Sequence, residues 1–210
     1  MAKSTKKSNE PLEQQLFLAA DKMRQNMDAA EYKHYVLGLI FLKYISDSFD
    51  QRREEIKDEY SNPESEWFIS NHEEREQAIT EDLEDRDVYK EKNIFWVPQE
   101  ARWSYIQSKA KDPAIGKVID SAMKTIESEN PKQLKNILPS GFAREQLSSD
   151  SLGGLIDLIS DIDLKVTEKH SKDVLGRIYE YFLGECASAE GKKGGQFYTP
   201  KSIVKMMVEM

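Results

Sequence analysis

The stretch YKHYVLGLIFLKYI, residues 32–45, decides the fold of this protein. Its apolar residues recur at three- and four-residue intervals and fill most of the helical circumference, which is typical of a helix buried nearly all round. The pattern runs on until Asn62-Pro63 breaks it, so we predict one long central helix over residues 29–60. A glycine in the middle of a helix, such as Gly38, costs about 1 kcal/mol of helix propensity. We interpret its use here as close packing against a neighbouring helix.

Shorter helical patterns lie on both sides of the central helix, and no internal repeat stands out. Residues 94–97, which precede Pro98, predict a short extended segment. The stretch that follows Pro63 and runs to Lys92 is rich in acidic residues and has few apolar ones. This pattern predicts a solvated helix with loops. Further helices are predicted over 12–27, from Trp103, from Asp112-Pro113 to Asn130-Pro131, over 151–159, over 172–187 and from Lys201 onward. The fold class predicted from these patterns is mainly α.

Composition and charge narrow the class of protein. The chain has 210 residues with 39% apolar content, which is enough to bury the core of one large or two small domains. A formal net charge of −8 argues against a protein that coats nucleic acid. The charge is uneven, because residues 50–92 hold 16 acidic and 7 basic residues and residues 165–205 hold 5 acidic and 8 basic residues. The acidic block at 73–87 is predicted to be a solvated face, and the alternative is a surface that mimics or repels DNA or docks a basic partner.

Cysteine, histidine and hydropathy exclude other classes. The single cysteine, Cys186, cannot form a disulfide within the chain, which fits a reducing cytoplasm. The three histidines are far apart in sequence, so a zinc site is not expected. The first nine residues are polar, and the longest apolar run, 36–42, falls well short of the ~18 residues that a membrane span needs. We therefore expect a soluble, cytoplasmic protein with no membrane association.

The segment EGKKGGQFYTP, residues 190–200, is the one that suggests chemistry. Its glycines permit close approach of a ligand to the backbone, and Thr199-Pro200 suits the start of a helix whose free N–H groups attract an anionic group. Phe197 and Tyr198 offer ring faces to a base or a cation, and Lys192 and Lys193 could contact DNA or a cofactor carboxylate. The alternative is a flexible loop that ends in an ordinary helix cap. A Walker phosphate loop is excluded, because no Gly-Lys-Ser or Gly-Lys-Thr occurs.

The run GGQFYTP, residues 194–200, resembles the cofactor-contacting motif that opens the methyltransferase domain of the modification subunits of type I restriction–modification systems. The preceding run DVLGRIYEYFL, residues 173–183, resembles the helix before that motif. The similarity extends to FWVP at 95–98 with ARW at 101–103, to positions 115–116 with 119–120, and to 37–45, so that it covers residues 12–210. The combination is highly specific, although each piece alone is weak.

The resemblance implies a division of the chain and an activity. The polar first residues predict a disordered tail over 1–10. The resemblance implies an N-terminal helical domain over 11–167 and, over 168–210, the opening helices of an incomplete α/β methyltransferase domain that depends on S-adenosylmethionine. The activity implied is transfer of a methyl group from S-adenosyl-L-methionine to the exocyclic amino group of adenine in DNA. The partners implied are DNA, a specificity subunit, a restriction subunit and a second copy of the modification subunit.

The resemblance also assigns cofactor-binding residues, namely Gln196, Phe197, Tyr198, Thr199, Pro200 and Lys201. The Gly-x-Gly loop and the catalytic Asn-Pro-Pro-aromatic motif of the family are absent from this sequence, so no catalytic residue is assigned. In that motif the asparagine holds the amino group of a flipped adenine, and the aromatic ring stacks on the base. Without the motif we expect no methylation, and with part of the pocket missing we expect weak or no cofactor binding. Because the sequence stops within an apolar pattern at 203–208, we expect a truncated piece of a longer subunit.

Two other hypotheses stay open. The first is a stand-alone helical module that docks proteins or DNA without catalysis, and the second is a single-chain fusion of restriction and methylation activities. Lys33, His34 and Lys43 could touch phosphates, or they could form a polar rim on a buried helix. The tryptophans at 67, 96 and 103 are interpreted as core or interface anchors rather than as platforms for base stacking.

Overall fold

Helices make up the regular secondary structure of the part of the chain that can be described. The computed structural model describes residues 29–144 and 147–161, together with Gln14, Phe17, Gly176, Glu180 and Tyr181. No β-strand occurs among these residues, which confirms the prediction of a mainly α fold for them. The opening helices of the methyltransferase domain, predicted over 168–210, lie outside the described residues apart from three isolated positions. The division at residue 167 stays a prediction.

The long central helix, α1, spans Ala29–Ser61 and so confirms the prediction within one residue. At ~1.5 Å per residue it is about 50 Å long. Its fully buried side chains follow the apolar pattern of the sequence, and they include Val36, Leu39, Ile40, Leu42, Phe49 and Ile56. None of the described helices is both long enough and apolar enough to cross a membrane.

The acidic stretch forms two helices, α2 over His72–Glu84 and α3 over Arg86–Lys90. The Asn71 side chain caps α2 by accepting hydrogen bonds from the N–H groups of Glu73 and Glu74, which explains why the helix begins there. Ile79, at 7% exposure, is the one buried residue of α2, so the prediction of a solvated helix is confirmed.

After α3, residues 94–98 form neither helix nor strand, and the extended conformation predicted for 94–97 stays a prediction. The chain then forms a 3₁₀ turn at Gln99–Ala101 and helix α4 at Trp103–Ser108. Trp103 fastens α4 to two other helices. Its backbone N–H donates to Ser46 Oγ of α1 at 2.8 Å, and its indole Nε1 donates to Ser160 Oγ at 2.8 Å. These two bonds satisfy the polar groups of a residue that is 4% exposed.

The remaining helices are α5 over Ile115–Glu129, α6 over Pro131–Leu134 and α7 over Ser149–Ser160. The predicted start of α5 at Asp112-Pro113 is wrong. The Asp112 carboxylate accepts the N–H of Ala114 at 2.8 Å, and this local turn delays the helix to Ile115. Helix α7 begins two residues earlier than predicted, because Ser148 accepts the N–H of Ser151 at 3.2 Å and acts as its N-cap.

Helix α1 contacts α2, α4 and α7, and α5 contacts α4 and α7. The loop over 138–144 bridges α1 and α5. Gly38 of α1 meets the Pro139 ring of this loop, and a Cβ atom at position 38 would overlap that ring. Close packing at Gly38 is therefore confirmed, but the predicted neighbour is wrong, because the neighbour is a loop and not a helix.

Candidate nucleic-acid interface

One face of α5 carries lysine and serine side chains and no acid. Lys117, Ser121, Lys124 and Ser128 are all exposed, at the spacing of a single helical stripe. The opposite face of the helix is buried in the core. Lys117 and Lys124 lie two turns apart, about 10 Å along the axis. Exposed residues Lys132 and Lys135 follow the helix, and we name this set of six residues the lysine surface.

The acidic side chains of the same region are engaged elsewhere. Asp120 accepts hydrogen bonds from the backbone N–H groups of residues 141–143 at 2.8–3.0 Å. Glu127 accepts the N–H of Leu138 at 2.8 Å, and Glu129 forms an ion pair with an arginine of α3 at 2.6 Å. No lysine of the lysine surface forms an ion pair with a residue that the structure describes. Its positive charge is therefore available to an anionic partner.

The position of α5 is set by the turn at 139–143. Gly116 lies against the backbone of Phe142 and Ala143, where a Cβ atom would overlap main-chain atoms. Phe142 is fully buried and meets the Tyr35 ring of α1 edge-on, with ring centroids 4.9 Å apart. Since Asp120 binds the same turn, the helix is held both sterically and by hydrogen bonds. The sequence positions 115–116 and 119–120 thus have a structural role in placing the lysine surface.

Asn130 joins the end of α5 to the segment at 94–98. Its Oδ1 accepts the N–H of Trp96 at 3.0 Å, and its Nδ2 donates to the carbonyl of Trp96 at 2.9 Å and to that of Ile126 at 2.8 Å. In the sequence, Asn130-Pro131 indicates only a helix end. The partner at position 96 is 34 residues away, so no local signal could have identified it.

The segment FWVP at 95–98 contributes to an aromatic cluster of Phe49, Tyr89 and Trp96. Phe49 stacks on Tyr89 at 4.7 Å between ring centroids, and Trp96 meets both rings edge-on at 5.2–5.4 Å. Arg53 and Arg102 approach the Phe49 ring at 5.7 and 5.1 Å, a distance at which a cation is attracted to a ring face. The interpretation of the tryptophans at 96 and 103 as core anchors is confirmed, since both pack within the fold.

Comparison with known proteins places these features in a family. Residues 12–159, most of the chain, match the family model described as the HsdM N-terminal domain. The chain belongs to this family. Residues 170–210 of the chain match a second family, the N-6 DNA methylases. The resemblance to modification subunits that the sequence analysis stated is thereby confirmed.

Individual relatives agree with the family match. The type I restriction enzyme MjaIX methylase subunit of Methanocaldococcus jannaschii is 41% identical over 198 residues, which cover 94% of this chain and 35% of that protein. The HindI methylase subunit of Haemophilus influenzae is 39% identical over 135 residues, which cover 54% of this chain and 30% of that protein. The chain thus spans about a third of the length of these relatives.

A solved structure shares the fold of this HsdM N-terminal domain protein. It is the crystal structure of a type I restriction-modification system methyltransferase subunit from Streptococcus thermophilus. The match has a TM-score of 0.61 at 23% identity and covers 93% of this chain and 42% of that one.

The predicted site residues of this HsdM N-terminal domain protein fall in different places. The cofactor-binding candidates Gln196, Phe197, Tyr198, Thr199, Pro200 and Lys201 lie outside the described residues, as do Lys192 and Lys193. The hypothesis that Lys43 touches phosphate is wrong, and so is the alternative that it forms part of a polar rim on the helix. Lys43 is 6% exposed and forms a buried ion pair with Asp47. His34 is exposed on α1, and the side chain of Lys33 is outside the described set.

A cleft of about 240 Å³ lies between α1 and residues 92–95. Arg52, 6% exposed, lies along it and donates to Glu59 at 2.6 Å and to Glu55 at 3.5 Å. Burial would lower the pKa of the Arg52 guanidinium, but the hydrogen bonds and charges of Glu59 and Glu55 outweigh burial and raise its pKa. Since the formal charges of Arg52 and Lys92 balance those of the two glutamates, the charged residues that line the cleft sum to zero.

A hydrogen bond between α1 and α2 makes stability depend on pH. Tyr60 Oη donates to Asp82 Oδ2 at 2.7 Å, and this bond, assisted by burial, raises the pKa of Tyr60 to about 12. The neutral phenol is favoured in the folded state, so its contribution to stability is complete below about pH 10 and is lost as pH rises toward about 12. We expect the unfolding free energy of the wild type to fall more steeply over this range than that of Tyr60→Phe. Denaturant unfolding at pH 8, 10, 11 and 12 checks this, and parallel curves for the two proteins would contradict it.

Proposed function

We propose that this chain is the N-terminal part of the modification subunit of a type I restriction–modification system. The complete subunit transfers a methyl group from S-adenosyl-L-methionine to the exocyclic amino group of adenine in DNA. The observation that carries the proposal is the order of the two family matches, with the HsdM N-terminal domain over 12–159 and the N-6 DNA methylase family directly after it over 170–210. A stand-alone helical docking module would give no reason for the second match.

The helical domain contributes contacts to the DNA backbone through the lysine surface. Ammonium groups that neutralise phosphates release condensed counterions, so such contacts bind DNA of any sequence and weaken as salt rises. Serine hydroxyls between the lysines, at Ser121 and Ser128, can donate to phosphate oxygens. The anchoring of α5 by Asp120 and Gly116 holds these side chains on a rigid helix, which lowers the cost of ordering them on DNA.

Gln196, Phe197, Tyr198, Thr199, Pro200 and Lys201 contribute to the cofactor site of the complete protein. S-adenosyl-L-methionine supplies the methyl group as a sulfonium, and it also carries a carboxylate. The ring faces of Phe197 and Tyr198 suit a cationic centre, and the backbone N–H groups at the helix start by Thr199 suit an anionic group. We expect the 210-residue chain by itself to bind the cofactor weakly and to methylate nothing, because the Asn-Pro-Pro-aromatic motif is not in it.

The assembly proposed around the subunit has four components. These are DNA, a specificity subunit, a restriction subunit and a second copy of the modification subunit, in the cytoplasm. The helical domain contacts the specificity subunit as well as DNA. The names of the relatives support this proposal, since each is a methylase subunit of a type I restriction enzyme.

The test is a methyl-transfer assay with the full-length subunit and its specificity subunit, read as N6-methyladenine by mass spectrometry. The Lys117→Gln/Lys124→Gln variant is expected to raise the KM for DNA roughly tenfold near physiological salt, with kcat unchanged. The slope of log affinity against log salt should shrink by about 1.8, which corresponds to two phosphate contacts.

A matched control makes this test specific. Lys57→Gln/Lys90→Gln removes the same charge from exposed lysines of α1 and α3, each of which pairs with an acid on its own helix, and it should leave the salt slope unchanged. Absence of N6-methyladenine with the wild type would contradict the proposed activity. Methylation with an unchanged salt slope in Lys117→Gln/Lys124→Gln would contradict the role of the lysine surface alone.

A further inference from the structure

Two aromatic side chains project from the loop at 62–71, between α1 and α2. Trp67 is 64% exposed and Phe68 is 37% exposed, whereas the tryptophans at 96 and 103 pack within the fold. Large aromatic residues that remain in water are the usual anchors of protein interfaces, where they supply much of the binding energy. Neither the DNA contacts nor the cofactor site proposed above uses Trp67 or Phe68.

Hydrogen bonds hold the backbone that carries these two side chains. The N–H of Trp67 donates to Ser65 Oγ at 3.2 Å, and the N–H of Phe68 donates to the carbonyl of Ser65 at 3.2 Å. The N–H of Ile69 donates to the carbonyl of Tyr60 at 3.1 Å, which ties the loop to α1. Because the backbone on both sides of Trp67 is hydrogen-bonded, a partner loses little binding energy to ordering the loop.

The charges around the aromatic pair select the kind of partner. Residues 62–76 contain five glutamates and one arginine, and two of the glutamates, Glu64 and Glu66, are exposed beside Trp67. This field repels a phosphate backbone. It also opposes pairing with the same patch on a second copy of the chain, which would bring two acidic surfaces together. A polypeptide segment with arginine or lysine side chains is complementary to it, since a guanidinium can stack on the Trp67 ring while carboxylates pair with its neighbours.

We propose that the Trp67 patch, made of Glu64, Glu66, Trp67 and Phe68, docks an arginine- and lysine-bearing segment of another protein subunit of the same assembly. The inference rests on the proposed function, since it takes the chain to be one subunit of a larger enzyme. The patch belongs to the loop at 62–71 and the lysine surface to α5 and the residues after it. The two surfaces share no residue, so protein and DNA bind through separate side chains of one domain.

The test uses the full-length subunit and, as probes, the purified subunits encoded beside its gene, with each affinity measured by biolayer interferometry. Trp67→Ala is expected to weaken the binding of one of these subunits at least tenfold. Glu64→Gln/Glu66→Gln should weaken the same binding and reduce its salt dependence. The control is Ile137→Ala, because Ile137 is 62% exposed, close to the value for Trp67, but lies on a different loop. Thermal unfolding of all variants should match the wild type.

Several results would overturn the docking proposal. One is a Trp67→Ala variant that binds every co-encoded subunit within twofold of the wild type. Another is a loss of self-association alone, since that would make a second copy of the chain the occupant. The same preparations are assayed for methyl transfer, which separates the two proposals. If the wild type methylates DNA and Trp67→Ala binds its partners normally, only the docking proposal is contradicted. If the wild type binds its partners but does not methylate DNA, only the proposed activity is contradicted.

Discussion

Replacing Phe49 with alanine is expected to lower the free energy of unfolding by about 3–5 kcal/mol. The ring is fully buried at the centre of the aromatic cluster, stacked on Tyr89 and edge-on to Trp96. Truncation leaves a cavity among side chains of three separate segments of the chain. It also removes the ring face that attracts Arg53 and Arg102, which at partly exposed sites adds about 0.5–1 kcal/mol for each pair.

Urea or guanidinium unfolding followed by circular dichroism measures this loss. Phe49→Leu is the informative companion, because it retains most of the apolar volume but no ring, so its loss should be clearly smaller. Phe41→Ala on the same helix is the control, since the Phe41 ring is only partly buried and contacts a single ring, that of Tyr44 at 6.3 Å. If Phe49→Ala cost no more than Phe41→Ala, the aromatic cluster would not be the main connection between α1 and the segment at 94–98.

Replacing Asp120 with alanine is expected to cost about 2–4 kcal/mol. One carboxylate accepts three backbone N–H groups, from Gly141, Phe142 and Ala143. The N–H of the buried Phe142 is the one that water cannot easily satisfy. The variant should also raise the KM for DNA in the complete enzyme, because α5 and its lysine surface lose their attachment to the 139–143 turn.

Asp120→Asn separates charge from geometry. The amide oxygen can still accept from the turn, but the charge is lost and the –NH₂ group faces donors, so the expected loss lies between those of wild type and Asp120→Ala. Asp157→Ala is the matched control. Asp157 is exposed on α7, and its removal should change stability by no more than about 0.5 kcal/mol. A loss for Asp120→Ala no larger than that of the control would mean that the turn holds its shape without the carboxylate.

The buried helices could be predicted with useful accuracy because their signal is local. The continuous apolar pattern placed α1 within one residue of its observed end, and the acidic stretch was correctly interpreted as a solvated helix. Helix starts were less accurate, because single side-chain hydrogen bonds set them. Asp112 delays α5 and Ser148 advances α7, and periodicity does not reveal either effect.

Roles that depend on partners distant in sequence could not be predicted. Asp120 and Asn130 each bind backbone more than 20 residues away, and the helical pattern of the sequence does not reveal those partners. Gly38 was expected to meet a helix and meets a proline ring in a loop. The three tryptophans were interpreted alike, but the fold packs two of them against other elements and leaves the third in water. Lys43, a possible phosphate contact by its charge, turns out to be buried with Asp47.

The sequence by itself determined the helical class, the span of the central helix and the family, because hydrophobic period and motif order are properties of neighbouring residues. Only the tertiary structure decided which charges remain available to a partner. The carboxylates of Asp120 and Glu127 accept backbone N–H groups of the segment at 138–143, and Glu129 pairs with an arginine of α3. The lysines of α5 therefore have no ion pair with a described residue. A carboxylate that finds a backbone N–H group or an arginine is satisfied within the fold, and which one it meets depends on how the chain brings distant segments together.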